Sequence, residues 1–193
     1  MLVVVGGSTG AGKTRLSRLL GEYLCWPVIG RDDLKEVLMD AFPPADRTES
    51  MWLGGPSWDL MYAVLDRLID RVPGVVIEAN FRAGRSETEL LPRVERCDTV
   101  YVQCVAGWAT VSARIRDRAN DPTRHSGHFD AEAFANTQAD WAIDSYRPMD
   151  LGVPVLTVRT DADSPDGYDP ALDDLMVAIE RRMHRDDWDS DDR

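Results

Sequence analysis

The run Gly7-Ser8-Thr9-Gly10-Ala11-Gly12-Lys13-Thr14 decides how the rest of the chain is read. Ahead of it Leu2–Val5 is a short β-branched stretch with the character of a buried strand. Behind it Leu16, Leu19, Leu20 and Leu24 recur at helical spacing, which predicts a helix from Lys13 to Leu24. A strand, a glycine-rich turn ending in Lys-Thr, and a helix match G-x-x-x-x-G-K-[ST] at every fixed position. The chemistry behind that spacing is anion binding. Glycines let the backbone wrap closely around a phosphate with its N–H groups turned inward, and the helix N-terminus adds partial positive charge. Backbone from Gly7, Ser8, Thr9, Gly10, Ala11 and Gly12 is therefore expected to cradle a nucleotide, with Arg15 adjoining it. Lys13 should reach the β- and γ-phosphates, and the Thr14 hydroxyl should sit on Mg²⁺. The plainer reading is a glycine-rich turn that binds nothing. Against it stands the fact that only two of the 22 basic residues are lysines, Lys13 and Lys35.

Outward from this run, strand-like and helix-like stretches alternate. Pro27–Ile29 predicts a second strand, and Asp32 or Asp33 opens a helix over Leu34–Phe42 that Pro43-Pro44 stops. Pro43–Ser57 carries Pro, Gly and Trp52 without periodicity and reads as a loop or flap, with Ser57 capping a helix through Ile69. Gly74–Ile77 is a third strand. Ser86 and Glu89 form a capping-box pattern for a helix through Arg96. Thr99–Val105 is a fourth strand, Trp108–Ala119 a helix, and an irregular segment with arginine and histidine runs on to Phe129. A helix from Asp130 to about Ser145, a strand over Val153–Val158 and a helix over Pro170–Met183 complete the order. Strand and helix repeated about five times imply an α/β fold, a parallel sheet with helices on both faces.

The 193 residues are about 1.3 domains on a guide of ~150 residues each, which predicts one domain over residues 1–185 and a frayed acidic tail over 186–193. Hydrophobic residues at 44% and charged residues at 29% have the balance of a globular protein. No apolar run approaches the ~20 residues of a membrane span, and no basic stretch precedes an apolar core at the N-terminus, so no membrane and a cytoplasmic setting are expected. Cys25, Cys97 and Cys104 have neither CxxC spacing nor an even count, which argues against a disulfide framework or a zinc site. Thirty-four acidic residues against 22 basic ones give a net charge of −12, which argues against a long polyanionic partner such as nucleic acid.

In a sheet of this kind ligands bind beyond the C-terminal strand ends. That rule gathers three further segments near the glycine-rich run. The first is Gly30-Arg31-Asp32-Asp33-Leu34-Lys35, where Asp32 is the favoured base for a hydroxyl proton and the plainer role is helix capping. The second is Glu78-Ala79-Asn80-Phe81-Arg82, where Glu78 and Asn80 are placed to organise metal or substrate. Metal contact by Asp32 or Glu78 would run through water. The third holds Arg114 and Arg118, four apart on one helical face, with Arg124 in the loop beyond. Arginine forks suit phosphate oxygens, although in so acidic a chain surface ion pairs compete for them. His125 and His128 read as loop structure rather than a metal pair, and Trp52 and Trp58 either stack on a flat acceptor or pack under the loop.

Through GGSTGAGKT, IGRDDLKEVLMDAF, VVIEANFR and RIRDRANDPTRHSGHFD the sequence resembles the small P-loop kinases known as predicted kinases or AAA-type ATP-binding proteins. More distantly it is similar to chloramphenicol phosphotransferase, zeta toxins and the 5′-kinase domain of polynucleotide kinases. The resemblance implies a three-layer P-loop NTPase sandwich with a five-stranded parallel sheet, ATP (or GTP) and Mg²⁺ as cofactors, and a helical lid at about residues 114–129 that holds the arginines. In those relatives an aspartate just after the second strand is the general base, which by position is Asp32. Polynucleotide kinases share the Arg-Asp-Asp run but carry arginine where this chain has Lys35.

The combined expectation is an ATP-dependent phosphotransferase acting on a hydroxyl of a small molecule such as an antibiotic, nucleoside or metabolite. Asp32, Lys13, Arg118 and Arg124 are the expected catalytic group, with Arg114 and Arg118 also on the nucleotide. Asp32, Lys35, Glu78, Asn80 and Arg82 are expected on the acceptor. A polynucleotide 5′-hydroxyl kinase, a non-catalytic ATP-binding or ATPase sensing module, and a toxin acting on a nucleotide sugar are the alternatives. A monomer or homodimer is expected.

Overall fold

The computed structural model describes residues 1–130, 147–164 and 166–183. Five strands, β1 (Leu2–Gly7), β2 (Val28–Gly30), β3 (Val75–Glu78), β4 (Thr99–Val105) and β5 (Val155–Arg159), form one sheet in the order β2-β3-β1-β4-β5. Every pairing is parallel. Central β1 is buried along its whole length, which is why its sequence is continuously apolar rather than alternating.

The pleat sorts its side chains to two cores. Leu2 and Val4 join Ile77, Tyr101, Met61, Leu65 and Leu90 on one face. Val3 and Val5 join Val102, Val158, Leu16, Leu20, Leu175 and Ile179 on the other. The first face is covered by α4 (Gly54–Leu68) and α5 (Glu87–Val94), the second by α1 (Lys13–Leu24) and α7 (Leu172–Met183). Two further helices, α2 (Arg31–Ala41) and α6 (Trp108–Ala119), follow β2 and β4. The result is the three-layer α/β sandwich expected from the sequence. Because β1 lies between β3 and β4, the chain leaves it on both sides, and the resulting crevice opens at the strands' C-terminal ends.

Three local expectations are corrected. Pro43–Ser57 is not a loop: α3 (Arg47–Trp52) occupies its middle, and α4 already begins at Gly54. Asp46 caps α3 by accepting from the Glu49 N–H at 2.9 Å, and the Glu49 carboxylate accepts from the Ala45 N–H at 2.8 Å. Ser57 is inside α4, its hydroxyl donating to the Gly54 carbonyl. Ser86 forms no capping box with Glu89; its hydroxyl accepts from the Arg82 N–H at 3.0 Å, closing the turn before α5. Finally, α2 starts at Arg31 rather than Leu34, so Asp32 and Asp33 fall in its first turn, where the helix dipole favours acids. A Cβ at Gly30 would meet the Asp33 carboxylate at 2.4 Å, so a larger residue there would have to displace that exposed side chain. The helix expected over Asp130–Ser145, beyond Asp130 itself, and the tail over 186–193 lie outside the described residues. Among the described residues no helix is long and apolar enough to cross a membrane.

Candidate active site

Between β1 and α1 the glycine-rich run turns with no side chain capping the helix: its N-cap is Gly12, at φ 85°. Most residues rarely adopt that φ, and a Cβ at Gly12 would also sit 3.1 Å from the Thr160 hydroxyl. The first N–H groups of α1 therefore stay available to an anion. The loop's own carbonyls are held from several sides. The Lys13 ammonium donates to the Ser8 carbonyl at 2.9 Å, the Thr160 hydroxyl to the Ala11 carbonyl at 2.8 Å, and Arg114 to the Gly10 carbonyl at 3.1 Å. Arg114 also donates to the Thr160 hydroxyl and carbonyl. Thr160, at the end of β5, is a loop-positioning residue that sequence patterns did not signal, because its partner is distant in the chain.

Glu78, at the C-terminal end of β3, is the hub of the polar cluster. It is 6% exposed, as is Lys13. It accepts from the Thr14 hydroxyl at 2.9 Å and lies 3.9 Å from the Lys13 ammonium. Burial pushes the Glu78 carboxyl up, against the pull of Lys13 and the Thr14 bond, and burial likewise pushes the Lys13 ammonium down. Asn80 donates to the Thr9 hydroxyl at 3.2 Å, tying the end of β3 to the loop.

These groups line a cleft of about 170 Å³. Of the expected site residues, Thr9, Gly12, Lys13, Thr14, Asp32, Lys35, Glu78, Asn80, Arg118 and Arg124 meet there, and Arg31, His128 and Asp130 join them. Asp32 faces the open side, 45% of its side chain reachable by water. Burial alone would raise its carboxyl, but the charges of Arg31, His128, Lys13 and Arg124 together hold it below the usual carboxylate range, which keeps it ionised. Arg118 is pushed down by burial and then by Arg124, two guanidiniums facing one space. Arg124 donates to Asp130 at 2.9 Å and to Glu36 at 3.2 Å.

Three expected residues are placed elsewhere. Arg15 lies over the Tyr168 ring, 5.1 Å from its centroid. Arg114 grips the loop from outside, as above. Arg82 lines a second, larger cavity of about 680 Å³ that adjoins the cleft. Arg31, Lys35 and Asn80 border both spaces. Trp58 packs on Tyr62 and Phe81 and also lines the larger cavity. Trp52 is 73% exposed and lines neither. His125 and His128 serve as ties: the His128 Nε2–H donates to Glu36 at 2.7 Å, and His125 lies 3.3 Å from Asp40.

Arg31 was passed over by sequence reasoning, which attended to the aspartates beside it. Its guanidinium stacks over Trp58 at 4.9 Å, a contact made by a distant helix. The donor set suits Mg²⁺, a hard cation that takes oxygens and is bound through one or two carboxylates together with phosphates rather than a protein cage. Thr14, Glu78 and Asp32 offer that set, and among the described residues no larger His, Cys, Asp and Glu cluster gathers.

Residues 2–142 match the family model of an AAA domain (AAA_33). No curated protein matches the chain. Among solved structures, a protein from Chloroflexus aurantiacus j-10-fl described as a candidate kinase is similar, with a TM-score of 0.82 at 24% identity over 93% of this chain and 96% of that one. A gluconokinase from Sinorhizobium meliloti 1021 superposes with a TM-score of 0.56 at 16% identity, covering 97% of this chain and 96% of its own. A sugar kinase from Janibacter sp. HTCC2649 gives 0.55 at 14% identity over 92% and 91%. These likenesses are of fold. With the family match spanning most of its length and the glycine-rich loop built as the motif requires, the chain belongs to the AAA domain family and has the α/β fold of the small P-loop kinases.

Proposed function

We propose that this protein transfers the γ-phosphoryl group of ATP or GTP to a hydroxyl of a small molecule. The observation that carries the reading is the position of Asp32. An ionised carboxylate stands in the same cleft as Lys13 and Thr14, and that cleft shares Arg31, Lys35 and Asn80 with a cavity large enough for an acceptor. A gluconokinase and a sugar kinase among its structural neighbours agree with an acceptor of this kind.

The loop N–H groups and Lys13 bind the phosphates, and Asp32 accepts the hydroxyl proton as the acceptor oxygen takes the phosphoryl group and the nucleoside diphosphate leaves. Arg118 and Arg124, which already line the cleft, neutralise charge on the transferring group, and closure of the segment at about 114–129 over it excludes water. Thr14 with Glu78 or Asp32 would hold Mg²⁺, which spreads phosphate charge. Glu78 also fixes the Thr14 hydroxyl and Lys13.

The test is transfer from γ-labelled ATP across nucleosides, aminoglycosides, chloramphenicol-like drugs, sugars, hydroxy acids and a 5′-hydroxyl oligonucleotide, wild type beside Asp32→Asn. Label on a small molecule, with kcat lowered about 10²–10⁴-fold in the variant and ATP binding retained, is the expected result. Label on the oligonucleotide alone would make the protein a polynucleotide kinase. Slow ATP hydrolysis unchanged by Asp32→Asn would leave a nucleotide-sensing module.

A further inference from the structure

The cavity of about 680 Å³ beside the phosphate cleft has the opposite charge balance to the molecule around it. The chain carries 34 acidic and 22 basic residues, yet four cations, Arg31, Lys35, Arg82 and Arg85, line this cavity against two carboxylates. One of those carboxylates, Glu89, lies 3.8 Å from Arg93 outside the lining, which offsets its charge. Lys35, one of the chain's two lysines, donates to the Ser50 hydroxyl at 3.0 Å.

Arg31 is the sharpest feature. Its side chain is only 15% exposed, so its charge has lost most of its water. In return it has two long contacts, to Asp32 and to the Gly54 carbonyl, each at 3.4 Å. Its Nε is buried with no hydrogen-bond partner. A guanidinium has five N–H donors, and leaving one buried and unused is costly. Trp58 holds the guanidinium plane from one side, which orients the fork. Burial and then the charge of Arg31 push the Lys35 ammonium below its usual value, the effect of crowding cations together. An anion between Arg31 and Lys35 would relieve both.

We infer, resting on the phosphotransfer reading above, that the acceptor is itself an anion: a hydroxyl compound bearing a carboxylate or phosphate group. That group sits against Arg31 and Lys35, with Arg85 at the cavity mouth. Its carbon skeleton lies along Trp58 and Tyr62, and its hydroxyl is turned past Asn80 towards Asp32. The volume lies within the ~300–1,000 Å³ of small-molecule sites.

The experiment uses matched pairs that differ in the anion alone. Gluconate, shikimate and glycerate are each set beside the methyl ester, and ribose 5-phosphate and glycerol 3-phosphate beside ribose and glycerol. Binding is read as the shift in melting temperature with a non-hydrolysable ATP analogue present, and chemistry as label transferred from γ-labelled ATP. At least one charged member is expected to bind about tenfold or more tightly than its neutral partner, the scale of one charge-assisted hydrogen bond. The two arms tell carboxylate from phosphate. Arg31→Gln should bring the ratio of KM values between charged and neutral members towards one. Arg85→Gln, at an exposed position, should lower the same ratio. Equal binding or labelling of neutral and charged members overturns the anion and leaves phosphotransfer standing. Charged members that bind but take no label keep the anion site and overturn phosphotransfer. No charged member binding, or a preference that survives both substitutions, overturns the proposal.

Discussion

Lys13 spends its ammonium on two acceptors, the Ser8 carbonyl and Glu78, with almost no water in reach. Lys13→Met should therefore destabilise the unliganded protein by roughly 3 kcal/mol, because it leaves Glu78 buried without its counter-charge. Lys13→Met with Glu78→Gln should cost less than the two single changes added together, a coupling that urea melts of the four proteins would measure. At this scale, what could be read in advance was whatever chemistry is contiguous. The fixed positions of the glycine-rich run, Lys13 and Thr14 among them, announce a phosphate from their own spacing, and Asp32 stands out because it follows a strand end. Arg31 gave no such sign. Its desolvation and its unpartnered Nε arise from Trp58 and Gly54, on a helix that the sequence placed too late.

Among the elements, α4 shows how that happened. Gly54, Gly55 and Pro56 look like loop residues by composition, but a helix's first turn needs no internal N–H partner, and proline fits there. The pattern Asp46-Arg47-Thr48-Glu49 was the signal for α3, hidden behind Pro43-Pro44. Ser50 on α3 receives Lys35 and donates to the Gly127 carbonyl, so this short helix joins the larger cavity to the turn that carries His128. Asp46→Ala should cost about 1 kcal/mol in a denaturant titration and raise the acceptor KM with little change in kcat. The His128 turn (a 3-10 turn over Ser126–His128) makes a pH-dependent contribution. Burial, then Arg124, holds the imidazole below its ordinary ~6.5, against the opposing pull of Asp32, Glu36 and Asp130. As pH falls through the ordinary value, the unfolded chain takes up a proton that the folded one refuses. This stability is full above ~6.5, shrinks below it, and is gone once pH passes the folded-state value. Urea midpoints should therefore fall faster with acid in wild type than in His128→Gln, and amide exchange over residues 124–129 should rise in parallel.

For the whole molecule, the strand order could be reasoned only as far as a parallel sheet. Which strands neighbour β1 depends on pairings between residues far apart, such as Val4 with Ile77 and Tyr101, which no local pattern encodes. The two cores were more accessible, because the leucines of α1 already marked one apolar stripe. A nucleotide that binds only the folded chain stabilises all of it. At a concentration of about 100 times its Kd, Mg-ATP should add ~2.7 kcal/mol and raise Tm by roughly 5–10 °C in differential scanning calorimetry. Lys13→Met should abolish that rise.

The grip of Lys13, Arg114 and Thr160 on the glycine-rich turn has one more effect. Ser8, Gly10 and Ala11 have their oxygens taken by donors from the protein itself, and the Gly12 oxygen takes the Leu16 N–H. A solute arriving at this turn meets hydrogens and few lone pairs. The loop amides thus favour acceptor-rich solutes, anions above all, before shape is consulted, and the turn's ordering entropy is met during folding rather than drawn from the affinity of each guest.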